Sequence, residues 1–271
     1  MADGAEGMPQ DLIAVVERSP QAAAAHDRAG WVGLFTADGR VEDPVGSRPH
    51  VGHQQIGCFY DTFIGPRDIT FHRDLDIARD SVVVRDLELE VAMGPAVVMH
   101  IPAILRYDLR RDGDDWKLTR LRAYWELPAM VWQFARHGRH AVPAAAQLTR
   151  ALLGNQGASG TAGFATGFRR AGSRQKNMVD VFVGALARGD TSAAARMLSP
   201  GAAITLGDHG ATDIAALGAE LAGARSARLL GAGDTVAVSL VSGHQRGVLF
   251  ARVRKRPATI TKIRYFPQLQ G

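Results

Sequence analysis

The feature that most constrains this chain is that it nearly repeats itself. LTRLRAY (118–124) and ITKIRYF (260–266) agree position by position in residue class. Upstream, RAGWVGLFTADGRVED follows Asp27 as TSAAARMLSPGAAITL follows Asp190. Asp27 and Asp43 stand 16 residues apart, and so do Asp190 and Leu206. Matching segments at matching offsets imply two diverged copies of one fold. The second copy is shorter by about 21 residues between these anchors, and it carries Leu206 where the first has Asp43. Whatever Asp43 does, the second copy does not repeat at that place.

The first copy reads as helices, then strands. Residues 9–18 put Leu12, Ile13, Val15 and Val16 on one side of a helix. Ser19-Pro20 then reads as a cap and first helical residue, which opens a second helix through QAAAAHD. A third helix is expected through RAGWVGLFT, a strand from Arg40, and a further helix through HQQIGCFYDTF. From Asp68 the period becomes two. DITFHRDLDIA and SVVVRDLELEV alternate, a Met93-Gly94-Pro95 turn leads to AVVMHIPAILRYDL, and RRDGDD turns into WKLTRLRAYWEL. Helices followed by a strongly bent antiparallel sheet make an α+β pattern. PAMVWQFARHG and PAAAQLTRALLG return to helix, and GNQGASGTAGFATGFRRAG, with six glycines, reads as a flexible linker. The expected organisation is one domain over 8–128, a helical extension and linker over 129–173, and a second domain over 174–271.

Composition removes several function classes. The net charge is +5, but the basic residues are scattered. The densest cluster, Arg252, Arg254, Lys255 and Arg256, reads as a solvated strand edge, so no nucleic-acid partner is expected. The one cysteine, Cys58, excludes an intramolecular disulfide and a cysteine-based zinc site. Its helical spacing with Ile56 and Phe59 suggests a buried thiol. His50 with His53, and His137 with His140, lack a third ligand at recognisable spacing. GxSxG, phosphate-loop and dinucleotide signatures are missing. We therefore expect no metal and no cofactor. MADGAEGMPQD shows neither a basic nor an apolar leader region, and no apolar run approaches the ~18 residues of a membrane span. These readings lead us to expect a cytoplasmic protein.

The chemistry concentrates in VEDPVGSRPHVG, which sets two adjacent carboxylates before a proline. Asp-Pro starts turns readily, so Asp43 has a local explanation. Strand alternation supplies another. If Val41 faces an interior, Asp43 does too, and Glu42 faces away. Asp74, Asp76, Glu88 and Glu90 alternate with leucine and valine, as a polar face outside any pocket would. His72 and His100 fit the same outer face. Tyr60 suits either the core or a pocket wall.

LFTADGRVEDPVGSRPHVGHQQIGCFY and LRAYWEL resemble segments of bacterial Δ5-3-ketosteroid isomerases, whose fold is the NTF2-like, or SnoaL-like, α+β cone. VEDPVGS also resembles polyether-type epoxide hydrolases of the same fold. The resemblance covers roughly residues 8–128; residues 174–267 resemble the fold only. It implies tandem NTF2-like cones, each with helices packed on a curved antiparallel sheet around an apolar hollow. It implies Asp43 as the general base, Tyr60 as a support of the oxyanion hole, and Trp125 as pocket wall. Phe59, Ile101 and Ala103 are expected to contact a small, apolar, steroid-like ligand.

The chain departs from the isomerase pattern at the oxyanion hole. No tyrosine precedes Tyr60, so Ser19 takes the principal tyrosine's place, and Ala103 stands where an aspartic acid is expected. A binding protein without chemistry, or an epoxide hydrolase with a second carboxyl facing Asp43, are therefore the other expectations. A homodimer or an intrachain pseudo-dimer is the expected assembly.

Overall fold

The computed structural model describes residues 7–93, 97–157, 162–164, 166–168, 170–243 and 245–268. Gly94 and Pro95 of the turn read at Met93-Gly94-Pro95, and part of the glycine-rich run, lie outside these. The chain divides into two compact units, Met1–Phe168 and Arg169–Gly271.

The first unit opens with α1 (Gly7–Ala24) and α2 (Arg28–Gly33). The expected break at Ser19-Pro20 does not occur, for α1 runs through Pro20. Proline costs a helix one hydrogen bond and a steric clash, ~3 kcal/mol. Leu12, Val15, Val16, Ser19 and Ala23 are all buried along this one helix, which offsets that cost. Ser19 does not cap a helix. Its Oγ accepts a bond from the indole N–H of Trp31 at 3.1 Å, deep in the core.

Asp27 caps α2 by accepting from the Gly30 amide at 2.8 Å. Strand β1 (Phe35–Glu42) begins earlier than expected, because Phe35 is buried against Trp31 and already pairs with Leu118. Then come β2 (His50–Val51), α3 (Gly52–Phe59) and a π-helical turn over Tyr60–Ile64. Four long strands follow: β3 (Asp68–Arg79), β4 (Val82–Ala92), β5 (Val98–Asp112) and β6 (Asp115–Tyr124). The sheet order is β2-β1-β6-β5-β4-β3. Every pairing is antiparallel except β1 with β6, which is parallel. Gly113, with φ of +65°, supplies the left-handed residue of the β5–β6 turn.

Packing follows the alternation. Leu12 and Val16 of α1, Trp31, Ile56, Leu87, Ala103, Tyr107 and Leu118 belong to one buried cluster. Large side chains of this kind stabilise by roughly 1.5–3 kcal/mol each. Helices α4 (Leu127–Ala135) and α5 (Ala141–Ala151) continue the unit. The glycine-rich run does not behave as a free linker throughout. Phe164 packs on Phe63 at 5.1 Å, Gly163 accepts from the Arg48 amide at 3.2 Å, and Thr166 donates to the Gly46 carbonyl at 3.0 Å.

The second unit repeats the plan with α6 (Ser173–Ala187), α7 (Thr191–Ala195), β7 (Leu198–Leu206), β8 (Gly210–Ala211) and α8 (Ile214–Glu220). Strands β9 (Arg225–Ala232), β10 (Thr235–Ser242), β11 (Gln245–Lys255) and β12 (Ala258–Pro267) complete it. Its sheet order is β8-β7-β12-β11-β10-β9, again with one parallel pair, β7 with β12. Asp190 caps α7 through the Ala193 amide at 2.8 Å, as Asp27 caps α2. The chain is thus an α+β protein with two cone-like folds in tandem.

Candidate active site

Strand directions bring the ends of β1, β4 and β6 and the starts of β3 and β5 to one rim of the first sheet. Asp43 follows β1 at that rim, and Trp125 follows β6. Glu42 pairs with Arg122 across the parallel ladder, and the Val45 amide bonds the Ala123 carbonyl at 2.8 Å. Alternation then fixes the faces. Val41 is fully buried in the core, the Glu42 carboxylate pairs outward with Arg120, and Asp43 turns inward.

Inward lies an apolar cavity of about 180 Å³, room for roughly six waters at ~30 Å³ each. The sheet contributes Ile69, Val91, Met99 and Ile101, and the helical side contributes Phe59 and Phe63. Met130 and Phe134 of α4, Leu148 of α5 and Phe164 complete the wall. The segment after the last strand therefore helps enclose the hollow. Among the described lining residues Asp43 is the single carboxylate and Arg67 the single cation.

Trp125 donates its indole N–H to Oδ1 of Asp43 at 2.5 Å. Loss of solvation pushes the Asp43 carboxyl up to about 6, and the Trp125 bond opposes part of that rise. A carboxylate so placed accepts a proton near neutral pH, as a general base requires.

The expected site residues divide. Asp43, Trp125, Phe59 and Ile101 line the cavity, whereas Tyr60 and Ala103 do not. Tyr60 sits on the π-helical turn with its ring 5.6 Å from Trp31, and its buried hydroxyl has no hydrogen-bond partner among the described residues. Burial raises its pKa, and the charges it feels are Asp27, Asp61 and Arg28 rather than Asp43. Ala103 is fully buried in the core.

The other acids stand elsewhere. Asp76 is gripped by buried Arg85 at 2.7 Å, while Glu88 and Glu90 meet His100 and His72 at 3.0 and 2.9 Å on an exposed face. None of these acids lines the cavity, nor does Asp74. Cys58 is partly exposed, contrary to expectation, and borders a separate polar pocket with Arg48, His50 and Gln156.

Sequence reasoning missed Arg67. It follows Gly-Pro between the π-helical turn and β3, with no motif to mark it. It is buried, with a relative exposure of only 8%. Burial lowers its pKa to about 10. It donates Nη1 to the Thr62 carbonyl at 2.5 Å, the side chain's one polar partner among the described residues.

Fold and rim together define a hollow cone of mixed α and β structure with one acid among the described residues that line its cavity. Residues 13–100 match the nuclear transport factor 2 (NTF2) domain, so the first unit carries an NTF2-like domain. Solved structures with a similar fold include the Δ5-3-ketosteroid isomerase from Mycobacterium sp., 26% identical over 44% of this chain and 96% of that one, with a TM-score of 0.41. RV0760c from Mycobacterium tuberculosis, in complex with estradiol-17β-hemisuccinate, is 23% identical over 44% of this chain and 95% of that one, with a TM-score of 0.40. An M. tuberculosis LEH-like epoxide hydrolase is 17% identical over 50% of this chain and 98% of that one, with a TM-score of 0.42.

Proposed function

We propose that the first unit binds an apolar cyclic ketone of steroid size and moves a proton within it, with Asp43 as the general base. The observation that carries this reading is a lone carboxylate in an apolar cavity, held at a pKa of about 6 by its own burial. Such a base removes a proton from a carbon beside the carbonyl and returns it two carbons away. Trp125 orients the carboxylate through its N–H, and Phe59 and Ile101 pack on the ligand rings. Stabilisation of the oxyanion differs from that of an isomerase with tyrosine and aspartic acid donors, since the described lining residues include no tyrosine and no second acid.

A second reading is ligand binding without turnover, which the missing oxyanion donors favour. Loss of one such donor typically costs ~10²–10³ in rate. Epoxide opening is disfavoured, because a second acid to protonate the leaving alkoxide is not present among the described lining residues.

The deciding measurement is the absorbance change as a Δ5-3-ketosteroid becomes its Δ4 isomer. Wild type is expected to turn over, with kcat/KM rising from pH 5 to 7 and levelling above the Asp43 pKa of about 6. Asp43→Asn is expected to lose ~10²–10⁴-fold of that rate. Equal rates for the two proteins would remove Asp43 from the mechanism. Tight steroid binding with no turnover by wild type would establish the second reading.

A further inference from the structure

Arg67 is a charged group that the proton-transfer reading does not use. Burying a guanidinium is costly unless acceptors or an anion compensate it. Here one backbone carbonyl serves a group with five N–H donors. No carboxylate pairs with it among the described residues, and the side chain lines the same hollow as Asp43. The two stand on opposite flanks of the rim. Three strands, β6, β5 and β4, separate β1 from β3 in the sheet. Four strand spacings are about 19 Å along a flat sheet, and less across a curled one.

Between these poles the wall is hydrocarbon and aromatic, apart from the Trp125 N–H already given to Asp43. A ligand matching the hollow therefore has an apolar body, a neutral polar end at Asp43 and a negative end at Arg67. We propose that Arg67 is an anion-binding pole of this cavity, and that the ligand carries a carboxylate at the end remote from Asp43. The proposal rests on the cavity being a ligand site, as inferred above. A guanidinium accepts a carboxylate in two parallel bonds, which selects geometry as well as charge. The depressed Arg67 pKa, about 10, still leaves the group cationic at neutral pH.

The test compares two ligands of nearly equal shape on the full chain: 3-oxoandrost-4-ene-17β-carboxylate and its primary amide. Wild type is expected to bind the carboxylate at least ~10-fold more tightly, the gain of a charge-assisted pair. Arg67→Met is expected to abolish that preference while leaving the amide affinity within about threefold. Arg67→Lys keeps a charge and a donor for Thr62 but not the planar fork, and is expected to retain only part of the preference. Equal binding of the two ligands by wild type overturns the proposal alone, and needs no variant that folds. An undiminished preference in Arg67→Met overturns it as well. So does a loss of turnover in that variant with the preference intact, which would assign the guanidinium to the reacting oxygen. If wild type binds neither ligand, the cavity reading falls too.

Discussion

In the first unit, Asp43 stands beside Ala123, one step beyond the Glu42–Arg122 pair of the parallel ladder. In the second, the same step sets Leu206 beside Tyr265. The next strand completes the contrast. Ala123 faces Leu105 on β5, and Tyr265 faces Leu249 on β11, so Ala103 corresponds to Gly247. A methyl group on Gly247 would come within 2.6 Å of the Tyr265 ring, so only glycine leaves that ring its place. Tyr265 is 4% exposed within the second core. One backbone plan is therefore used in two ways. Small residues, Ala103 and Ala123, stand in the core at these positions in the first unit, and a large ring occupies the corresponding interior in the second. The π-helical turn and Arg67 also belong to the first unit alone, since α8 ends at Glu220 and β9 begins at Arg225.

This contrast can be broken most sharply at Tyr265. Truncation to alanine should destabilise the second unit by about 3–5 kcal/mol, the usual cost of an aromatic deleted from a packed core. Urea unfolding, with hydrogen exchange of β11 and β12, reads the loss. Steroid binding by the first unit should survive it. A cost below ~1 kcal/mol would show that the ring does not fill the interior.

A smaller effect should appear at Asp43, with the opposite sign. Its pKa rises from 3.8 to about 6 on folding. The folded state thus binds the proton more tightly than the unfolded chain. Stability then falls as pH rises between these values, and the charged form costs up to about 3 kcal/mol above pH 7. Asp43→Asn should therefore be more stable than wild type at pH 7.5, with the gap closing below pH 4. Leu206→Asn removes apolar packing and should destabilise at every pH. A pH-independent gap for Asp43→Asn would mean that the carboxylate is solvated.

The smallest difference sharpens what the units share. Asp27→Ala and Asp190→Ala each remove one helix cap, and each should cost about 1 kcal/mol. Clearly unequal losses in thermal unfolding would show that the two caps are alike in geometry but not in energy.

Much of this was legible in the sequence because it is local. The alternation of Val41, Glu42 and Asp43 foretold which acid turns inward. Equal spacing from Asp27 and Asp190 foretold equivalent positions in the two copies, and the structure makes each of them a helix cap. Misreadings arose where distant contacts outweighed local signals. Ser19-Pro20 looked like a helix start, yet Trp31 takes the serine hydroxyl and burial carries the helix onward. For Tyr60 the sequence leaves both pocket and core open, which is no misreading, and its ring lies buried beside Trp31. Arg67 gave no signal, because its significance lies in what surrounds it rather than in its neighbours along the chain.

By itself the sequence determined two copies of one α+β plan, the order of their elements, and an acid in one where the other has leucine. These follow from periodicity and spacing, which act over a few residues. Only the tertiary structure decided that Asp43 is enclosed and that Arg67 shares its hollow. Enclosure is made by Trp125, Met130, Phe134, Leu148 and Phe164, all more than eighty residues downstream. Desolvation depends on that surrounding matter, so a proton affinity near neutrality is a property of the folded cavity and not of the aspartate's own segment.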